Sequence, residues 1–175
     1  MQFDKCPDSV LTHFSVENDH ASWTEDNISL FHSDRCIVRD GLIAYNNSPT
    51  GDGLMFEGSS YCVAEDVDAI QQGNGSFAAV PNGSKPSGGC LFVRCRTRDS
   101  YNSMRDGRAA PSSNGLSFYV KASPGHSLHS ITDCHFDNLA NPKNLVWQTD
   151  ALRPGWSLTR QNFTAKEPIR LMFGW

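Results

Sequence analysis

No apolar run in this chain approaches the ~20 residues needed to cross a bilayer as a helix, and Met1-Gln2-Phe3-Asp4-Lys5-Cys6 lacks a basic stretch followed by an apolar one. The sequence therefore shows neither membrane segment nor signal peptide. Charge is scarce: only 19% of the 175 residues are charged, and the formal net charge is −4. With no basic excess there is no electrostatic reason to expect a nucleic-acid partner. No Cys-x-x-Cys pair occurs among the six cysteines, so the spacing for a structural zinc knuckle is missing, and a chain of this length can build a core without disulfides. Gly-x-Ser-x-Gly, the phosphate-binding loop, the dinucleotide fingerprint and His-Glu-x-x-His are also absent. Serine hydrolase, nucleotide and zinc-protease chemistry lose their sequence support.

Long helical periodicity is missing too, because Gly, Pro, Asn or Ser interrupts nearly every window of twelve residues. Twenty Ser, 14 Gly, 12 Asn and 9 Pro make up just under a third of the chain. Such a share without aromatics would suggest disorder, but ten Phe, four Trp and four Tyr supply a core. One domain over residues 1–175 is expected, either complete or a segment of a longer protein.

What recurs is a short unit, apolar-x-apolar. It starts at Met1, Ile28, Leu54, Leu91, Leu116, Leu145 and Ile169, at intervals of 27, 26, 37, 25, 29 and 24 residues. A period in this range fits either a leucine-rich repeat or one coil of a parallel β-helix. The second half of each unit decides. Cys36-Ile37-Val38, Cys62-Val63-Ala64, Ser130-Ile131-Thr132 and Trp156-Ser157-Leu158 are strand-like, whereas a leucine-rich repeat needs a helix-compatible half. The expectation is an all-β, single-stranded, right-handed parallel β-helix of about six coils. Alternate side chains would point inward, and coils would stack at ~4.8 Å. Cys36 and Cys62 should lie one above the other, and Phe56, Phe118 and Trp147 should share the interior. The 37-residue interval predicts an inserted loop over residues 71–89. Further loops are expected from Ser100 to Asn114 and around Ser123-Pro124-Gly125-His126, either as the wall of a groove or as tolerated variation. Neither end of the pattern carries an amphipathic helix to cap it, and the expectation is a homo-oligomer stacked through the ends or a longer parent chain.

Phrases such as Ser130-Ile131-Thr132-Asp133-Cys134-His135-Phe136-Asp137-Asn138 and Asp40-Gly41-Leu42-Ile43-Ala44-Tyr45-Asn46-Asn47 resemble rungs of right-handed parallel β-helix proteins. That group, the pectate-lyase-like proteins, includes pectate lyases, polygalacturonases, alginate epimerases and phage tailspikes. The resemblance covers the chain as a repeat style. It implies an extracellular protein that binds, cleaves or epimerises an acidic, uronate-bearing polysaccharide. It equally admits a non-catalytic spike or adhesin segment.

Several residues could carry that chemistry. If Leu91, Val93 and Cys95 face inward, Arg94, Arg96 and Arg98 form an outward row able to bind sugar carboxylates through planar guanidinium forks. Alternatively, the row pairs with acids such as Glu65 and Asp66 on adjacent coils. Asp66 and Asp68 are the candidate acid/base groups or Ca²⁺ ligands. His126 and His129 are the candidate proton carriers, with Tyr101 or Tyr119 as a partner, as the resemblance to alginate epimerases suggests. Gly51-Asp52-Gly53 and Gly125-His126 resemble polygalacturonase elements, although Asp52 also suits a turn before a strand.

Overall fold

A computed structural model describes residues 1–19, 22–100, 115–140 and 145–169. Short strands separated by left-handed corner residues wind the chain into a parallel β-solenoid. Fourteen strands are described: β1 (Gln2–Asp4), β2 (Val10–Glu17), β3 (Ile28–Phe31), β4 (Ile37–Asn46), β5 (Asp52–Glu57), β6 (Val63–Gln72), β7 (Gly75–Val80), β8 (Leu91–Val93), β9 (Arg96–Arg98), β10 (Leu116–Val120), β11 (Ser130–Thr132), β12 (Cys134–Asp137), β13 (Val146–Trp147) and β14 (Leu158–Arg160). The helix among described residues is one short 3₁₀ turn, Thr149–Ala151.

Sheet A stacks β1-β3-β5-β7-β10-β13, all parallel. Sheet B runs from β2 through β4 and β6 to the pair β8/β9, then β11/β12, then β14. Six levels in each sheet give about five turns between the first level and the last. Levels lie 26 to 28 residues apart in the first half of sheet B, Leu54 pairs Phe77 over a shorter step on sheet A, and the sheet B step rises to 39 where the chain passes residues 101–114.

Recurrent left-handed residues explain the polygonal path. His13, Asp40, Asp66, Arg94 and Asp133 all take positive φ, near 50°, and stand in register on successive levels. Tyr45, Gln71, Asp99 and Asn138 form a second such column. A left-handed residue turns the chain without the length of a hairpin. Asp and Asn are the L-residues that tolerate that conformation best.

The interior is built of in-register columns. Ile28, Leu54, Phe77, Phe118 and Val146 form one on sheet A. Val38, Ala64, Phe92 and Ile131 form another on sheet B. Small and large residues alternate across the shaft, so Phe92 lies 5.6 Å from Phe56 and 5.2 Å from Phe118, centroid to centroid. Gly41 serves the same packing: a Cβ there would come within 2.1 Å of the Phe14 ring. Cys36, Cys62 and Cys90 stack in register, as expected for the first two. Each thiol donates to a carbonyl of the level before it: Cys36 Sγ to Cys6 O, Cys62 Sγ to Ser33 O, Cys90 Sγ to Ser59 O.

Three expectations need correction. Trp147 is 42% exposed and points outward; its neighbour Val146 fills the core, because the last sheet A strand starts one residue out of the expected phase. Residues 71–77 are no inserted loop, since β6 continues to Gln72 and β7 begins at Gly75, a complete level that the small residues Gly75-Ser76 and Ala78-Ala79 conceal. The Leu91 unit belongs to sheet B, and its phase is reversed: Phe92 faces in and Arg94 is a corner. Residues 161–169 form an irregular strap, and the unit expected at Ile169-x-Leu171 lies outside the described residues after Ile169. The loop expected from Ser100 to Asn114, with Tyr101, lies outside the described residues after Ser100.

Candidate functional site

The outer face of sheet B carries the densest arrangement of charged side chains. Register places Asp68, Arg96, His135 and Thr159 side by side on β6, β9, β12 and β14. Alternation sends all four outward, because Ala69, Thr97 and Phe136 beside them take the inward phase. Asp68 is fully buried, and Arg96 binds it through Nε and Nη2 at 2.7 Å each. At the adjoining corner Arg94 binds Asp66 through Nε at 2.9 Å and Nη2 at 2.7 Å, and reaches Glu65 at 2.5 Å. The Arg94 guanidinium holds the Asp66 carboxyl below its usual range, and the two acids raise Arg94 in return. Arg98 takes a different partner: Nε meets Asp99 at 3.0 Å and Nη1 donates to Phe163 O at 2.7 Å.

The strap at 161–169 closes over this face. Phe163 packs on Leu42, Ala44 and Ile70, three apolar residues that sheet B turns outward. Its ring also lies 4.6 Å under the Arg96 guanidinium carbon, a cation–π contact. The Lys166 backbone N–H donates to Asp68 Oδ2 at 2.7 Å, and its ammonium donates to the Asp66 carbonyl. Between strap and sheet lies a cleft of about 440 Å³ lined by Asp66, Arg94, Arg96, Asp133, His135, Gln161, Phe163 and Lys166. Pairing uses Nε and Nη2 of each guanidinium, and on Arg94 both Nη2 hydrogens are taken, one by Asp66 and one by Glu65. Arg94 Nη1 and Arg96 Nη1 have no partner among the described residues, nor has His135 Nε2, whose ring is oriented by Nδ1 on Thr159 Oγ1 at 2.8 Å. The cleft can therefore offer N–H donors without breaking an ion pair.

The other expected residues stand elsewhere. His129 is wholly buried: its Nδ1 accepts the Cys90 N–H and its Nε2 donates to Lys121 O, both at 3.2 Å. Those two bonds fix the neutral tautomer, and burial lowers its pKa. His126 is exposed and lines a separate cleft near the 3₁₀ turn. Tyr119 projects from sheet A, in register with Trp147. Asp66 and Asp68 thus meet arginines, and neither histidine lines their cleft. Among the described residues no group of three or more His, Cys, Asp or Glu is arranged to hold a metal ion. Asp52 is buried near the start of β5, where Asp26 Oδ1 accepts its backbone N–H at 2.8 Å.

Sequence reasoning missed His135, Phe163 and Lys166. The position of His135 one level beyond Arg96 was readable once β12 was aligned with β9. Phe163 and Lys166 gave no periodic signal, because the strap is not a strand. No family model, curated protein or solved structure matches the chain.

Proposed function

We propose that this solenoid binds a polysaccharide bearing isolated carboxylates, a uronate-type glycan in the manner of pectate-lyase-like proteins, in the cleft between sheet B and the strap. The supporting observation is the pair of Nη1 amino groups on Arg94 and Arg96 without a partner among the described residues, beside His135, in one preformed cleft. Two charged N–H donors from neighbouring guanidinium groups suit the two oxygens of a planar carboxylate. The neighbouring charges nearly cancel: Arg94, Arg96 and Lys166 stand against Glu65, Asp66, Asp68 and Asp133. Such balance disfavours densely charged phosphate or sulfate polymers. It suits one carboxylate per sugar among hydroxyls that Asp133 and Gln161 can accept from or donate to.

Binding without turnover is the favoured form, since Asp66, Asp68, His126 and His129 form no common acid/base set. A glycan array followed by a product assay on uronate polymers at neutral and alkaline pH tests it. Expected are retention of uronate oligomers, loss of that retention in Arg94→Ala, and no product. Absence of uronate binding, or binding indifferent to Arg94→Ala, overturns the reading.

A second reading is a non-catalytic solenoid, spike- or adhesin-like, assembling end to end. One observation favours it: among the described residues β1 and β2 pair on one side only, and Val10 on β2 is 55% exposed. Light scattering across concentration tests it, with a monodisperse monomer as the result against.

A further inference from the structure

We infer a second, separate binding site, for a neutral sugar ring, beside the last two levels of sheet A, built from Trp147, Tyr119, His126, Gln148 and Asp150. It does not depend on the arginine cleft.

The aromatic part follows from register. Tyr119 on β10 and Trp147 on β13 are paired Cα to Cα and face outward, because Phe118, Val120 and Val146 occupy the inward phase. Their rings stand 6.3 Å apart and tilted by 56°. Trp147 remains 42% exposed although Val146 beside it is buried, so a large flat apolar surface faces solvent at a fixed angle. Neither ring lines the cleft near the 3₁₀ turn, but each is followed closely in the chain by a residue that does. Lys121 follows Tyr119 by two residues and lies on the same outer face. Gln148 follows Trp147 directly in the left-handed conformation, φ 61°, and starts the turn Thr149–Ala151.

That turn and the Ser123–His126 loop enclose a cleft of about 430 Å³, lined by Lys121, Pro124, His126, Leu128, Gln148 and Asp150 among others. The loop is held by the His126 N–H to Ser123 O at 3.0 Å and the Ser123 N–H to Ser87 O at 2.8 Å. The Arg153 Nε–H donates to Leu128 O at 3.2 Å on the far side. The backbone is tied, while the side chains of Lys121, His126, Gln148 and Asp150 have no hydrogen-bond or ion-pair partner among the described residues. This reverses the arginine cleft, where most polar atoms are already paired.

The chemistry of these free groups selects the ligand. Lys121 only donates and a carboxylate such as Asp150 only accepts; the Gln148 amide does both, and the His126 ring adds N–H donation. One positive and one negative side chain leave no net preference for charge. The complement is an uncharged ligand whose polar groups both donate and accept and which carries a flat apolar face. A pyranose ring has that constitution: C–H groups on one face for Trp147 and Tyr119, hydroxyls at the rim for the polar set.

The test is calorimetric titration of the full chain with cellohexaose, maltohexaose, mannohexaose and xylohexaose. Trp147→Ala, Trp147→Phe and Asp150→Asn are titrated alongside, each first checked for an unchanged melting temperature. At least one neutral hexasaccharide should bind the wild-type chain. Affinity should fall at least tenfold in Trp147→Ala, less in Trp147→Phe, and severalfold in Asp150→Asn. No binding of any of the four, or equal binding by Trp147→Ala, overturns the proposal. A parallel titration with a uronate hexamer reports on the arginine cleft, so failure of one site is distinguished from failure of the other.

Discussion

Arg96 holds Asp68 from the neighbouring level with Nε and Nη2, each at 2.7 Å, and the carboxylate it holds has no exposed surface. The third bond to that carboxylate comes from the Lys166 backbone, so one buried acid ties two strands and the strap together. Buried ion pairs are not reliably better than apolar replacements, but breaking one by removing a single partner is costly. Arg96→Ala should therefore destabilise the fold by about 3 kcal/mol in urea unfolding. Arg96→Met combined with Asp68→Leu should recover much of that loss. Equal stability of Arg96→Ala and wild type would contradict this role.

Asp26 and Asp52 set an opposite trend. Burial, aided by neighbouring acids, raises Asp26 to about 6, and burial raises Asp52 well above the usual carboxylate range. An acid whose folded pKa is raised binds its proton more tightly in the native state, so its contribution to stability falls as pH rises from about 4 through 6. Asp26→Asn keeps the oxygen that accepts the Asp52 N–H and removes the titration. It should match wild type near pH 4 and exceed it at pH 7.5 by on the order of 2 kcal/mol. His129, whose pKa is lowered, acts with the reverse sign below pH 6.5 in both proteins and cancels from the difference. A constant gap between the two urea midpoints across this range would contradict the assignment.

The thiols should be silent in the native state. Cys36, Cys62, Cys90, Cys95 and Cys134 are buried, and burial pushes Cys36 and Cys95 up; a neighbouring thiol and burial together do the same to Cys62. Cys6 is exposed. Ellman's reagent should count one thiol in the folded protein and six in urea. Rapid reaction of several thiols without denaturant would show that the internal stack is not closed.

Phe163 fastens the strap. Phe163→Ala removes the ring that covers Leu42, Ala44 and Ile70 and lies against Arg96. Hydrogen exchange of the Lys166 amide should accelerate at least tenfold, while exchange in β4 and β6 stays slow. Acceleration spread evenly over sheet B would mean that the strap is part of the global fold rather than a local closure.

The solenoid was legible because its signal is repetition. Ile28, Leu54 and Phe118 recur at coil spacing, and Cys36 over Cys62 follows from the same count. What failed was phase where side chains are small or glycines intervene. Gly75-Ser76-Phe77-Ala78-Ala79 reads as a loop although it is a complete strand, and Trp147, the bulkier member of Val146-Trp147, was assigned the core that Val146 fills. Of the site, the arginine row and its acids were readable as a neighbourhood, since coil stacking brings Asp68 beside Arg96. That the acids would spend their oxygens on those arginines could not be chosen over an open cleft from spacing alone. His129 had a histidine's chemistry and a core residue's place; only the Cys90 N–H and the Lys121 carbonyl decide between them. The strap carries no period at all, so Phe163 and Lys166 were invisible.

Uronate binding is tested most directly at His135, whose ring nitrogen Nε2 has no partner among the described residues while Nδ1 is held by Thr159. Imidazole resonances of ¹⁵N-labelled protein, followed during titration with tetragalacturonate, should show His135 shifting to saturation while His129 stays still. In Arg94→Ala, which loses only solvent-exposed ion pairs to Glu65 and Asp66 and so keeps its fold, the shift should disappear. A His135 resonance that stays unmoved at millimolar tetragalacturonate, or moves equally in Arg94→Ala, would contradict the account.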